Sequence, residues 1–277
     1  MKLPNLSYMM SVGQLRYIQS VYEVARYRNP DTLVRDFLPR FQKWGCDLRG
    51  RALLSRSRSK PFYFYVLART IYYDMVFFDA MEKGFNHIVN IGCGTDTRAY
   101  RFGHILSRTG IQVIECDQPQ AIHTKQKIAS KSWPVNHVKY LPIDLNNELS
   151  WSQLMDWLRT NRESKVLVMM EGVSPYVDES SFAQFLKLLS SELYAGSEVS
   201  YDFKVTGVAD DFGSSDLTKK PFRLPNERKK IESYHQNLGY QVKSLESSAD
   251  LTLRMLPEFD QSAYPIFLEE VLLRLVR

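Results

Sequence analysis

From His87 onward, short apolar runs alternate with stretches whose apolar residues recur every three or four positions. The runs Ile88–Ile91, Gln112–Asp117, Val138–Leu145, Val166–Gly172 and Ser197–Lys204 predict strands. Gln153–Arg159 and Glu179–Tyr194 predict crossover helices, the second with Phe182, Phe185, Leu186 and Leu189 on its buried face. Asn226–Leu238 reads as a further helix stopped by Gly239, and Val242–Glu246 with Glu270–Val276 as a closing pair of strands. Such alternation predicts an α/β fold, a doubly wound and mostly parallel sheet with right-handed crossovers and helices on both faces.

The chain before His87 has a helical period. Leu15, Ile18, Tyr22 and Ala25 fall on one face, and Leu33, Phe37 and Phe41 follow after the Asn29-Pro30 break. Residues 1–80 are therefore expected to form an N-terminal helical cap and residues 81–277 the sheet domain. The aromatic stretch from Phe62 to Phe78 reads either as plain core or as the lining of an apolar pocket. Residues 205–225, rich in Gly, Ser, Asp and Pro and including Gly213-Ser214-Ser215, are longer than an ordinary αβ connection and are expected to act as a lid.

The most informative local signal is Ile88-Val89-Asn90-Ile91-Gly92-Cys93-Gly94-Thr95-Asp96-Thr97-Arg98, a buried strand that ends in a glycine turn and opens a helix. Gly92 and Gly94 allow a tight turn and close approach of a ligand to the backbone. A dinucleotide fingerprint needs a third glycine at position 97, where Thr97 stands, so a pyrophosphate cofactor and nicotinamide redox chemistry are disfavoured. S-adenosylmethionine has no phosphate to seat there, and two glycines suffice. Asp117 closes the next strand at the distance where a carboxylate accepts both ribose hydroxyls in such folds, or else it serves as a turn or N-cap residue before Gln118-Pro119. Asp144 and Glu171 end the third and fourth runs, so polar groups collect at one sheet edge.

V-N-I-G-C-G-T-D-T-R, E-C-D-Q-P, I-D-L and M-M-E-G-V-S-P-Y-V, in this order and spacing, resemble the leucine carboxyl methyltransferase family, whose members use S-adenosylmethionine. The resemblance runs from about Arg69 to the C-terminus. It implies a class I, Rossmann-like methyltransferase with a seven-stranded sheet. Gly92 would lie under the methionine part of the cofactor, Asp117 would bind the ribose, and Asp144 with Leu145 would border the adenine. Glu171 would sit near the cofactor's amino group and Arg69 would face its carboxylate. A guanidinium fork suits a carboxylate and a carboxylate balances an ammonium, whereas a solvated helix face is the other reading of Arg69. The family's N-terminal basic contact has three candidates here, Arg26, Arg28 and Arg35.

The chain has 277 residues, is 44% hydrophobic and carries a formal charge of +5. That length suits one large α/β domain with a helical extension. The modest basic excess comes with no nucleic-acid motif, so no nucleic-acid partner is expected. The basic run from Arg49 to Lys60 is either a solvated loop or a dock for an acidic partner or anionic substrate. Cys46, Cys93 and Cys116 are odd in number and lack metal-ligand spacing, and the histidines at 87, 104, 123, 137 and 235 are scattered. No metal is expected, and a reducing, cytoplasmic location is. Met1-Lys2-Leu3-Pro4-Asn5 lacks an apolar signal core and no stretch reaches spanning length, so no membrane partner is expected.

Methyl transfer from a sulfonium mainly requires the protein to align the acceptor and exclude water. An alcohol acceptor needs a group to take its proton, and a carboxylate acceptor does not. Asp202, Tyr201 and Tyr176 are the candidates for that role, with capping as the other reading of Asp202. The family covers carboxyl methyltransferases of protein C-termini and bacterial natural-product O-methyltransferases. The compact chain favours a hydroxyl on a small polyketide or peptide-polyketide molecule, free or carried on a carrier protein. The G-C-G-T-D-T-R and E-C-D-Q-P variants are similar to those of cyanobacterial O-methyltransferases of the microcystin type. Carboxyl methylation and a non-catalytic cofactor-binding protein are the competing readings.

Overall fold

The computed structural model describes residues 10–208 and 220–277. Among the described residues eight strands form one sheet: β1 (His87–Ile91), β2 (Gln112–Asp117), β3 (Val138–Pro142), β4 (Val166–Met170), β5 (Glu198–Val205), β6 (Arg223–Leu224), β7 (Gln241–Ser247) and β8 (Glu270–Val276). Their order is β3-β2-β1-β4-β5-β8-β7, with β6 paired only to β5. β1 to β5 run parallel, and β8 lies antiparallel between β5 and β7. The expected seven strands are all present, and the two-residue β6 is an addition.

The described residues also form helices α1 (Val12–Tyr22), α2 (Val34–Phe37), α3 (Arg40–Arg58), α4 (Pro61–Glu82), α5 (Arg98–Arg101), α6 (Gly103–Thr109), α7 (Pro119–Ser132), α8 (Ser152–Thr160), α9 (Glu179–Glu192), α10 (Arg228–Asn237) and α11 (Ser248–Met255). Local chemistry sets several of their starts. Ser11 and Gln14 form a reciprocal capping box on α1, and Pro61 and Pro119 occupy first-turn positions of α4 and α7, where the missing N–H costs nothing.

Strand alternation divides the core between the two sheet faces. Ile88, Val113, Leu167 and Leu272 pack with the N-terminal helices and α11. Val89, Ile114, Val168, Tyr201, Leu273 and Leu275 pack with residues of α8, α9 and α10. The N-terminal helices thus form one full layer of an α/β/α sandwich. Buried almost all round, α4 puts Tyr63, Phe64, Tyr65, Tyr73 and Phe77 into that layer. Phe64 and Tyr65 make ring contacts with Phe259, Tyr264 and Phe267, so this aromatic stretch is core and lines no part of the cavity described below.

Two positions depart from the expected helical faces. α1 ends at Tyr22, which leaves Ala25 exposed in a following 3-10 turn. Pro39 interrupts the chain between Phe37 and Phe41, so Phe37 is buried while Phe41 begins a new helix and points to solvent. Most of the expected lid, Gly213 to Ser215 included, lies outside the described residues.

Candidate functional site

The glycine turn after β1 leaves the sheet at the point where the strand order reverses, between β1 and β4. Ligand crevices form at that point in open α/β sheets. A cavity of about 350 Å³ opens there, walled by Ile91, Gly92, Ile143, Leu145 and Val177 together with Asp117 and Asp144. Gly92 has φ +67°, and Val173 fills the space that a Cβ would need. A side chain at 92 would therefore be strained twice, by backbone conformation and by contact.

Asp117 takes the turn role and also faces the cavity. Its Oδ2 accepts the Gly94 N–H at 2.7 Å and its Oδ1 accepts the Gln118 N–H at 2.7 Å, and it still reaches the cavity wall. Asp144 turns the chain by accepting the Asn146 N–H at 3.0 Å, with Leu145 beside it on the same wall. Beneath the turn, Lys125 Nζ donates to the Cys93 carbonyl at 3.2 Å and to Glu115 at 2.7 Å. Glu115 also accepts from the Tyr100 hydroxyl at 2.8 Å. Lys125 had a legible signal: it lies between Ile122 and Ala129 on the buried face of α7, where a lysine needs a partner.

A buried ionic network adjoins the cavity. Glu171, directly after β4, accepts from Arg16 Nη2 at 2.5 Å and from Arg98 Nη1 at 2.8 Å, and Arg69 Nε lies 3.3 Å away. Burial alone would raise the Glu171 carboxyl, but Arg16, Arg98 and Arg69 together hold it below its ordinary range. Arg98 also binds Asp74 at 2.8 Å and Asp96 at 2.5 Å. Arg69 donates to Asp202 at 3.2 Å and to Glu270 at 3.1 Å. Its guanidinium sits under Gly172, a cavity-wall residue with φ +68° whose added Cβ would lie 3.3 Å from Arg69 Nη2.

Arg69 is therefore buried in the network beside the cavity, and the solvated-face reading is excluded. Arg26, Arg28 and Arg35 do not reach the site. Arg26 faces Glu258, Arg28 donates to the Glu23 carbonyl and Arg35 binds Asp47. The N-terminal cation that does arrive is Arg16, which the sequence reading did not select. α1 places it there, with Gly13 packed closely on Thr95 of the glycine turn.

Among the expected proton acceptors, Tyr176 lines the cavity and is 52% exposed. Its phenol is raised, mainly by burial. Tyr201 must be corrected: it points to the opposite face of β5 and contacts His235, because adjacent strand residues alternate sides. Asp202 points toward the network but lies beneath the cavity wall, where it accepts the Gly172 N–H at 2.7 Å and is 1% exposed. No described residue group forms a metal-binding cluster of three or more His, Cys, Asp or Glu.

The residues fit S-adenosylmethionine. The cavity pairs apolar walls with two carboxylates placed for a nucleoside, and the arginine network next to it contains buried Arg16 Nε and Arg69 Nε without hydrogen-bond partners among the described residues. Strand order, glycine turn and edge carboxylates define the class I methyltransferase fold. Residues 28–190, more than half of the chain, match the leucine carboxyl methyltransferase family, and the chain belongs to it. A relative from Bacillus subtilis (strain 168), named for S-adenosyl-L-methionine-dependent methyl transfer, is 29% identical over 140 residues, covering 50% of this chain and 44% of its own. One from Mycobacterium ulcerans (strain Agy99), named likewise, is 25% identical over 149 residues, covering 53% and 46%. The chain thus spans about half the length of the relatives it matches. Among solved structures, an S-adenosylmethionine-dependent methyltransferase from Mesorhizobium loti aligns with 14% identity and a TM-score of 0.45 over 72% of this chain and 96% of that one.

Proposed function

We propose that this chain is an S-adenosylmethionine-dependent methyltransferase acting on a hydroxyl of a small natural-product molecule of polyketide or peptide-polyketide type. The observation that carries the cofactor is the cavity at the strand-order reversal, bounded by Gly92, Asp117, Asp144 and Leu145 and continued by the buried arginines around Glu171. In this reading Asp117 accepts the ribose hydroxyls, Asp144 and Leu145 border the base, and Arg69 with Arg16 faces the carboxylate of the amino-acid end. Gly94 holds Asp117 in place by donating to it. Glu171 balances the ammonium. When bound, the cofactor supplies an electrophilic methyl group, and the chain's part is to bind, orient and exclude water.

Tyr176 is the cavity-wall residue whose phenol, raised by burial and so protonated at neutral pH, would orient the acceptor oxygen by hydrogen bonding while the acceptor's proton passes to water. Asp202 positions Arg69 and the Gly172 backbone. Isothermal titration with S-adenosylhomocysteine tests the first part of the reading: one site per chain is expected, and no binding by the folded protein overturns it.

One observation favours a second reading, transfer to a carboxylate. Asp202 and Tyr201 are both buried away from the cavity wall, and a carboxylate acceptor needs no base. Mass spectrometry of the product separates the two, since an ether and an ester differ in their lability to alkali.

A further inference from the structure

α3 carries an apolar strip with no partner among the described residues. Phe41, Trp44 and Leu48 are 71%, 68% and 63% exposed, and exposed Ala52 continues the line. At about 100° per residue these positions, spaced i, i+3, i+7 and i+11, fall on one face. Exposed Arg40 and Arg51 lie about a quarter turn to one side of the strip, and exposed Arg49 and Arg56 about a quarter turn to the other. The opposite face of the helix is closed. Cys46 and Gly50 are buried, with Gly50 against the Tyr22 ring of α1.

The charges on this face are uncompensated. Asp47 is taken by Arg35 at 2.7 Å and Glu23 by Arg58, and Lys43 faces Asp36 at 3.6 Å. No ion pair joins Arg40, Arg49, Arg51 or Arg56 to an acid among the described residues. A second copy of the chain is a poor occupant, because a self-paired face would bring arginines of like charge together. An apolar strip with an aromatic pair at one end, bracketed by cations on both flanks, is complementary to a surface that is anionic in plane and apolar just below it.

We propose that α3 is a docking helix for an anionic lipid surface, lying along the interface with Phe41, Trp44 and Leu48 inserted and the four arginines on the headgroup phosphates. Each arginine near such a surface adds attraction that salt weakens, and the apolar residues add the depth-dependent part. The expectation of no membrane partner rested on the lack of a spanning segment. Among the described residues no helix is long and apolar enough to cross a membrane, and an interfacial helix needs no such span.

The test is co-sedimentation of the whole chain with vesicles of equal phosphatidylglycerol and phosphatidylcholine, against vesicles of phosphatidylcholine alone. Binding to the anionic vesicles only, weakened by salt and reduced at least tenfold by Phe41→Ser/Trp44→Ser and by Arg49→Ser/Arg51→Ser/Arg56→Ser, is the expected result. Circular dichroism and S-adenosylhomocysteine binding should be unchanged in both variants, because all five positions lie outside the cavity. Wild type remaining in the supernatant with both vesicles overturns the proposal. So does binding insensitive to Phe41→Ser/Trp44→Ser, which would be charge alone. A light-scattering mass that falls from dimer to monomer in Phe41→Ser/Trp44→Ser also overturns it and assigns the face to a second copy.

Discussion

Arg16 Nη2 and Glu171 Oε1 stand 2.5 Å apart, although 155 positions separate them in sequence. The first helix is thereby tied to the carboxyl end of the central parallel strand β4, beside the glycine turn. Breaking a buried pair leaves an uncompensated charge, which costs about 3–5 kcal/mol. Arg16→Gln should lower both thermal stability and S-adenosylhomocysteine affinity, the latter about tenfold or more. Arg16→Lys should restore stability better than affinity, since it keeps the charge but loses the planar fork. Calorimetry of both variants reads the two effects separately. Equal affinity in wild type and Arg16→Gln would remove Arg16 from the site.

Asp117→Ala removes a charged acceptor from the cavity wall and also frees the Gly94 N–H that it holds. Cofactor binding should weaken by about 1–3 kcal/mol, the usual scale for a lost hydrogen bond to a charged group. Titration with S-adenosylhomocysteine measures it. An unchanged dissociation constant would reduce Asp117 to a turn residue.

Gly172→Ala tests the contact between backbone and guanidinium. The added methyl group must adopt φ near +68° and would lie 3.3 Å from Arg69 Nη2. The backbone part alone costs about 1–2 kcal/mol. Affinity should fall together with stability, and a crystal structure of the variant should show Arg69 displaced. A fully active, equally stable variant would mean that Arg69 has room to move without consequence.

The strand positions show what was legible and what was not. The glycine turn, Asp117, Asp144 and Glu171 are local signals, because an acid at the end of an apolar run is bound to emerge at a sheet edge. Arg16 has no such signal: its partner comes from the other end of the family motif, and only the folded chain brings the two together. Tyr201 and Asp202 illustrate a different failure. Both were expected at the site, yet neighbours on a strand face opposite sides, so at most one could point there. Phe41 was misplaced because a helical period was carried across Pro39, where the chain starts a new helix. The exposed strip on α3 follows from that break.

The Asp202 carboxyl, ordinarily near 3.8, is pushed up to about 7 chiefly by burial, with Arg69 opposing and Glu270 and Glu171 adding to the rise. Between the unfolded and folded values the native state binds the extra proton. This contribution to stability is therefore complete below the unfolded value and is lost as pH rises through about 7. Asp202→Asn carries no titrating group. Its melting temperature relative to wild type should rise from about pH 4 to about pH 7 and be flat above that, because the native and unfolded states bind different numbers of protons only between the two values. A relative melting temperature that is flat across that range would show Asp202 ionised throughout.

The last prediction concerns the acceptor. Tyr176 is half-exposed on the cavity wall, whereas Asp202 is covered by the Gly172 backbone. If a hydroxyl is methylated and the Tyr176 phenol orients it by hydrogen bonding, with the acceptor's proton passing to water, Tyr176→Phe should bind S-adenosylhomocysteine as wild type does while turnover falls roughly 100-fold, the scale of a misplaced reacting group. The same fall should appear across the pH range below the raised phenol value, where the wild-type phenol stays protonated and able to hydrogen-bond the acceptor. A carboxylate acceptor is already ionised at neutral pH and gives up no proton, so the alkali lability of its methyl ester, rather than the size of the fall, separates it from a hydroxyl. Turnover of the two proteins on the same acceptor, with the product tested for alkali-labile methyl ester, decides between hydroxyl and carboxylate. Unchanged turnover with an ether product would refute the role of Tyr176.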